Sequence, residues 1–141
     1  MMVTEFLQNS VSFLAGLTTE QAHSLAVQAQ QKSFSKGQTV LFMGTTTDGL
    51  SVVAAGKVSV WTKPQKGKPL VQVAELGPGA VFGETSIIEP GTAGATIKAT
   101  EDQTLIFTIP QEAFRAILAQ NNELQARAYA IIAERKNKAP R

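Results

Sequence analysis

Between Thr39 and Pro110 the chain is cut into short β-prone segments by Gly, Pro, Thr and Asp, while helical periodicity is confined to its two ends. Strands of that length, recurring at roughly ten-residue intervals, point to a sandwich, roll or barrel. Val52, Val53, Val58, Val60, Val71, Val73, Ile97, Leu105, Phe107 and Ile109 are the expected inward positions, several of them at a period of two. Trp61 is expected to end a strand and anchor a sheet edge, and Pro64 to Lys68 to form an exposed hairpin tip.

Ahead of this block, Thr18 and Gln21 have the spacing of a capping box. The helix they open is predicted to run to about Gln31, with Ala22, Leu25, Ala26 and Ala29 on one face and His23 exposed on the other. Beyond the strands, Pro110 is placed to be the first residue of a helix whose apolar face is Ala113, Phe114, Ile117 and Leu118. Asn121-Asn122 interrupts that helix and caps the next, in which Leu124, Ala128, Ile131 and Ile132 recur at helical spacing. The expected organisation is a single domain: a helical part over 1–31, strands over 32–110, helices over 111–136 and a frayed basic tail over 137–141.

Composition removes several classes of function. A chain of 141 residues with 43% apolar and 17% charged residues suits one soluble core. Its net charge of +2 does not imply nucleic acid as a partner, and no apolar run approaches bilayer length. With no cysteine there is neither a disulfide framework nor a thiolate metal site. A single histidine and no nucleophile paired with a base argue against an enzyme and against a resident metal or cofactor. Asp48, next to Gly49, reads as a turn residue. The start Met1-Met2-Val3-Thr4-Glu5 lacks the basic region of a secretory signal, so the expected location is cytoplasmic.

The segment from Leu76 to Thr96 carries the chemistry. Gly77, Gly79 and Gly83 allow the backbone to approach a ligand, and Thr85 to Ile88 has the length of one helical turn whose N–H groups, those of Thr85 and Ser86 among them, face an anion. Glu84 at its mouth is an acceptor suited to sugar hydroxyls, or a cap for the turn. Gly79 and Gly83 also have a purely structural use in tight turns. What the cradle lacks is a cation: nothing basic lies between Lys68 and Lys98.

Phe82-Gly83-Glu84 and Ala95-Thr96-Ile97-Lys98-Ala99 resemble the phosphate-binding cassette of the cyclic nucleotide-binding domain family, of the catabolite activator and kinase regulatory subunit type. The likeness continues in Phe13 to Gln21, which is similar to the family's leading helix, in Lys36 to Phe42, and in the glycine series Gly44, Gly49 and Gly56. It implies a mainly β, jelly-roll-like β-roll of about eight strands, with an N-terminal helix, a short cassette helix and two C-terminal helices. It also implies that Glu84 holds a ribose hydroxyl, that the backbone around Phe82 to Ser86 holds a cyclic phosphate, and that an arginine pairs with that phosphate. Carried over in register, the arginine position is Ala93, followed by Gly94 and Ala95, which leaves that wall small and apolar.

Three readings follow. The domain is a regulatory module that binds cyclic AMP or cyclic GMP weakly or with a cation such as Lys57 or Lys98 from elsewhere. Alternatively the site is retuned for a neutral or differently charged ligand, or the domain is a protein-interaction module on the same scaffold. The resemblance makes the last helix either a lid, with Tyr129 stacking on a purine, or a surface for an unidentified protein partner or a second copy. Tyr129 as a half-buried packing residue is the plainer alternative. Too little chain follows that helix for a DNA-reading unit, so output is expected through surface recognition.

Overall fold

The computed structural model describes residues 3–11, 14–47, 49–63, 67–83 and 91–138. Four helices flank and follow ten strands among these residues: α1 (Val3–Asn9), α2 (Thr19–Gln28), α3 (Gln111–Leu118) and α4 (Asn122–Lys138). The strands are β1 (Gln30–Phe34), β2 (Thr39–Leu41), β3 (Thr46–Thr47), β4 (Gly49–Ala55), β5 (Val58–Thr62), β6 (Val71–Leu76), β7 (Val81–Phe82), β8 (Gly91–Thr92), β9 (Thr96–Ala99) and β10 (Thr104–Pro110). Eight of them form two four-stranded antiparallel sheets, ordered β1-β10-β4-β7 and β2-β9-β5-β6, and β3 pairs separately with β8. This is the mainly β roll expected from the sequence. Asp48, the hairpin-tip residues Pro64 to Lys66, the cassette residues Glu84, Thr85 and Ser86 with the short helix expected there, the side chains of Ile131 and Ile132, and the tail beyond Lys138 lie outside the described residues.

The central strands β10 and β4 of the β1-β10-β4-β7 sheet are covered on both faces. Leu50, Val52, Phe107 and Ile109 face the helices, where Phe6, Leu7, Leu14, Leu25, Phe114, Ile117 and Leu124 complete one core. Val53, Phe82 and Ile106 point the other way, into the roll, to meet Val58 and Ile97 of the second sheet. Adjacent residues on a strand point to opposite faces, so Val52 and Val53 are both buried but in different cores. The same holds for Ile106 and Phe107. A sheet buried on both sides needs continuous rather than alternating hydrophobicity, which is how Leu50 to Ala55 reads. Phe6 locks α1 onto the sheet by meeting Phe107 edge to face, with ring centroids 5.9 Å apart at 88°.

Several expectations need correction. α2 ends at Gln28, not near Gln31, because Ala29 turns to extended backbone (φ −71, ψ 137) and β1 starts at Gln30. α1, on Val3–Asn9, falls within the helical part expected over 1–31 but is a helix separate from the one that Thr18 opens, with Phe6 and Leu7 packed against the sheet as its buried face. Pro110 is the last residue of β10 and the N-cap of α3, so the helix proper begins one position later. Val71 and Val73, expected inside, are 40% and 57% exposed because β6 is the outer edge of its sheet. Trp61 neither ends β5 nor lies on an edge strand: β5 runs between β9 and β6, and the indole donates to Ser59 Oγ at 2.7 Å.

Helix boundaries follow their caps. Thr18 Oγ1 accepts from Gln21 N–H at 3.1 Å, and Gln21 Oε1 accepts in return from Thr18 N–H at 3.2 Å, completing the capping box. Asn121 caps α4, its Oδ1 accepting from Leu124 N–H at 3.0 Å. Its amide then donates to Gly16 O at 3.4 Å and to Gln21 Oε1 at 3.3 Å, so one side chain joins the caps of two helices. Arg127, one turn further on, donates to Ala15 O at 2.8 Å. Replacing Asn121 with Ala is expected to cost about 1–2 kcal/mol in urea unfolding, from the lost cap and its added bonds. Asn122→Ala, at an exposed neighbouring position, should stay within about 0.5 kcal/mol of the parent.

Candidate functional site

The cassette's described residues come from two places in the fold. Phe82 ends β7, pairs with Ser51 of β4 and is buried in the roll interior. The approach to it is held by Gly79, whose N–H donates to Val53 O at 2.8 Å, while Val53 N–H donates to Ala80 O at 2.9 Å. Gly79 has φ +91, and a Cβ there would collide with the carbonyl oxygen of Ser10. Gly83, at φ +80, continues the chain out of the sheet. Both glycines therefore have the structural use that the sequence allowed them: they set the exit of the chain toward Glu84.

The opposite wall is Ala93 to Ala95. Ala93 is clamped by its backbone to the turn before β3: its carbonyl accepts from Gly44 N–H at 2.9 Å and its N–H donates to Thr45 O at 2.8 Å. Gly94 is exposed, with nothing within 4 Å of where a Cβ would stand, and Ala95 packs into the roll interior. Thr96 is buried, and its hydroxyl accepts from Met43 N–H at 3.0 Å, tying the start of β9 to the same turn. The sequence marked Thr96 as part of a pattern but carried no sign of this tie, which spans 53 residues.

The two cations named as substitutes for the absent arginine occupy defined places. Lys98 lies on the face of β9 opposite to the inward Ile97, and its ammonium sits 4.9 Å from the Trp61 ring centroid. Lys57 is exposed in the link between β4 and β5, where its carbonyl accepts from Thr100 N–H at 2.9 Å. Tyr129, next to the buried Ala128 on α4, is 53% exposed, with about half of its surface covered within the domain. Phe82 and Gly83 also line a cleft of about 270 Å³ between the sheets, whose other walls are β1, β2, β4 and β10. Ala93, Gly94, Ala95 and Tyr129 do not line it. Sequence reading missed Gln30 and Lys32 in that wall because it assigned Gln30 to a helix and because Gln30-Gln31-Lys32-Ser33, polar throughout, carries no strand periodicity.

The cyclic nucleotide-binding domain model matches residues 31–121, spanning the roll, both cassette walls and α3. The chain belongs to the cyclic nucleotide-binding domain family. It is 27% identical over 124 residues to the cyclic AMP receptor protein of Thermus thermophilus, covering 88% of this chain and 56% of that protein. It is likewise 27% identical over 123 residues to the cAMP-dependent protein kinase type II regulatory subunit of Drosophila melanogaster, covering 87% of this chain and 32% of the relative. The chain thus spans between a third and somewhat over half of these two relatives. The crystal structure of the Thermus thermophilus catabolite activator protein superposes with a TM-score of 0.76 at 27% identity, covering 90% of this domain and 59% of that chain. Among the described residues no helix is long and apolar enough to cross a membrane, and no cluster of three His, Cys, Asp or Glu side chains could hold a metal ion.

Both walls of this domain can be tested as backbone devices. Gly79→Ala is expected to lose about 1–3 kcal/mol of stability, from the left-handed backbone and the collision with Ser10. Gly94→Ala, with an ordinary φ and open space around it, should leave the thermal midpoint within about 2 °C of the parent.

Proposed function

We propose that this domain is a non-catalytic regulatory module that senses a cyclic nucleotide, with the phosphate held by backbone N–H groups after Gly83 and the ribose by Glu84. The observation that carries this reading is the family membership together with the geometry of the two walls: Gly83 turns the chain out of the roll at φ +80, and Ala93 to Thr96 is clamped beside the Gly44 turn. The named relatives are a cyclic AMP receptor protein and a regulatory subunit of a cAMP-dependent kinase, which supports cyclic AMP as the first ligand to try, ahead of cyclic GMP.

Binding is weak in this proposal because position 93 is alanine. Losing one partner of a buried charge pair costs about 2–5 kcal/mol, roughly 30-fold to several thousand-fold in affinity. Backbone N–H groups still favour an anion without a side-chain cation, so binding is reduced rather than abolished. Lys98 is engaged with Trp61 on the outer face of its sheet, and Lys57 lies beside Thr100, at the end of β9 away from Ala93, so the reading takes no side-chain cation from either. Tyr129, exposed on α4, is the residue proposed to close over the purine. A cytoplasmic location and a protein or homodimer contact through α4 belong to the same reading.

Thermal unfolding with millimolar cyclic AMP, cyclic GMP and linear AMP tests it. Saturating ligand at about a hundred times its Kd adds about 2.7 kcal/mol, a rise of roughly 5–10 °C for a domain of this size. The cyclic nucleotides are expected to produce a smaller rise than that, linear AMP none, and Ala93→Arg to strengthen binding at least tenfold in calorimetry. Glu84→Ala should remove it. No response from either Ala93→Arg or the parent domain overturns the nucleotide reading in favour of a protein-interaction module.

A further inference from the structure

The cleft between the sheets has a chemistry of its own. Strand register sets Gln30 opposite Thr108, Thr108 opposite Ser51 and Ser51 opposite Phe82, so these four form one row across the sheet. Phe82 in that row belongs to the roll interior, so the row faces inward. Two residues along β1, Lys32 stands opposite Ile106, another member of that interior. Three polar side chains and an ammonium thus line the cleft, with Gln30 and Lys32 at its solvent-exposed rim on the edge strand and Ser51 and Thr108 deeper.

Their polarity is not used up within the fold. The hydroxyls of Ser51 and Thr108 approach each other only to 3.5 Å, the limit of a weak hydrogen bond. Among the described residues no hydrogen bond or ion pair engages the Lys32 ammonium, and the described lining of the cleft contains no carboxylate. A described lining with one cation, no carboxylate and several neutral donors favours a negatively charged occupant. Its remaining wall is apolar: Phe34, Leu41 and Ile106 beside Phe82. At about 270 Å³ it lies just below the range of drug-sized ligand pockets, so the occupant is small.

We infer that this cleft is a second binding site, for a small amphipathic carboxylate whose head group meets Lys32, Gln30, Ser51 and Thr108 and whose apolar part lies between Phe34, Leu41 and Ile106. It goes beyond the cyclic-nucleotide reading: the cleft adjoins the cassette at Phe82 and Gly83, but Ala93 to Ala95 do not line it and its polar groups come from β1, β4 and β10.

Benzoate, titrated into the ¹⁵N-labelled chain and followed by amide chemical shifts, is the probe. Saturable shifts are expected at Lys32, Ser51 and Thr108. Lys32→Glu should weaken benzoate at least tenfold, and uncharged benzamide should bind the parent at least tenfold more weakly. Because Lys32 is exposed, its replacement should leave the remaining amide spectrum in place, which checks the fold. Ser51→Leu, which fills the cleft from the β4 side, should also abolish the shifts. Absence of saturable shifts at these amides overturns the inference, as do shifts confined to Gly83 and Ala93 to Ala95, or equal responses in Lys32→Glu. Cyclic AMP binding is read separately by calorimetry, so loss of either site is visible without the other.

Discussion

The β4–β10 pair bears both cores of this molecule. Each strand places alternate residues on opposite faces, and both faces are covered, by the helices on one side and by the second sheet on the other. Leu50, Val52, Phe107 and Ile109 hold α1 to α4 in place, while Val53 and Ile106 close the roll. A shift of register at Leu105/Ile106, where Ala55 and then Val53 are the successive partners, lets the pair accommodate an extra residue without exposing either set. Slipping the pairing by one position would exchange the two cores, so everything attached to this sheet, cassette and helices alike, inherits its register.

The cassette depends on that sheet through β7. Ser51 and Val52 pair with Phe82 and Val81, and the Gly79 turn is bonded to Val53. The other wall hangs from the second sheet through β9 and from the turn at Gly44. The two segments are thus attached to different sheets that share one apolar interior, and movement of either is resisted by burial of Phe82 and Ile97. The helical end is attached differently. Asn121 and Arg127 bind α4 to the α1–α2 connection by polar contacts, and Leu124 and Ala128 add the apolar part.

Much of this was legible without coordinates where the signal is local. The capping box at Thr18 and Gln21, the cap at Asn121, the apolar face of α3 and the roll itself follow from spacings of three to seven residues or from the alternation of strand residues. Expectations failed where an edge or a boundary depends on a distant partner. Val73 has the residue type of an interior strand position and is exposed because nothing pairs beyond β6. Gln30 looked helical and is a strand because Thr108 is there to receive it. For the cassette, Phe82, Gly83 and Ala93 to Ala95 were readable from their pattern. The polar row of Gln30, Ser51 and Thr108 was not, since its members lie on three strands far apart in sequence.

By itself the amino-acid sequence determined the family, the class of fold, the caps of two helices and the absence of a cation at position 93, because each rests on residue identity or on short spacings along one chain. Tertiary structure alone decided which of two adjacent buried residues serves which core, where Lys98 places its charge, that one asparagine joins two caps, and that three strands align a polar row along one cleft. Those are matters of register and layer order, and register is set by contacts between segments tens of residues apart, about which local pattern carries no information.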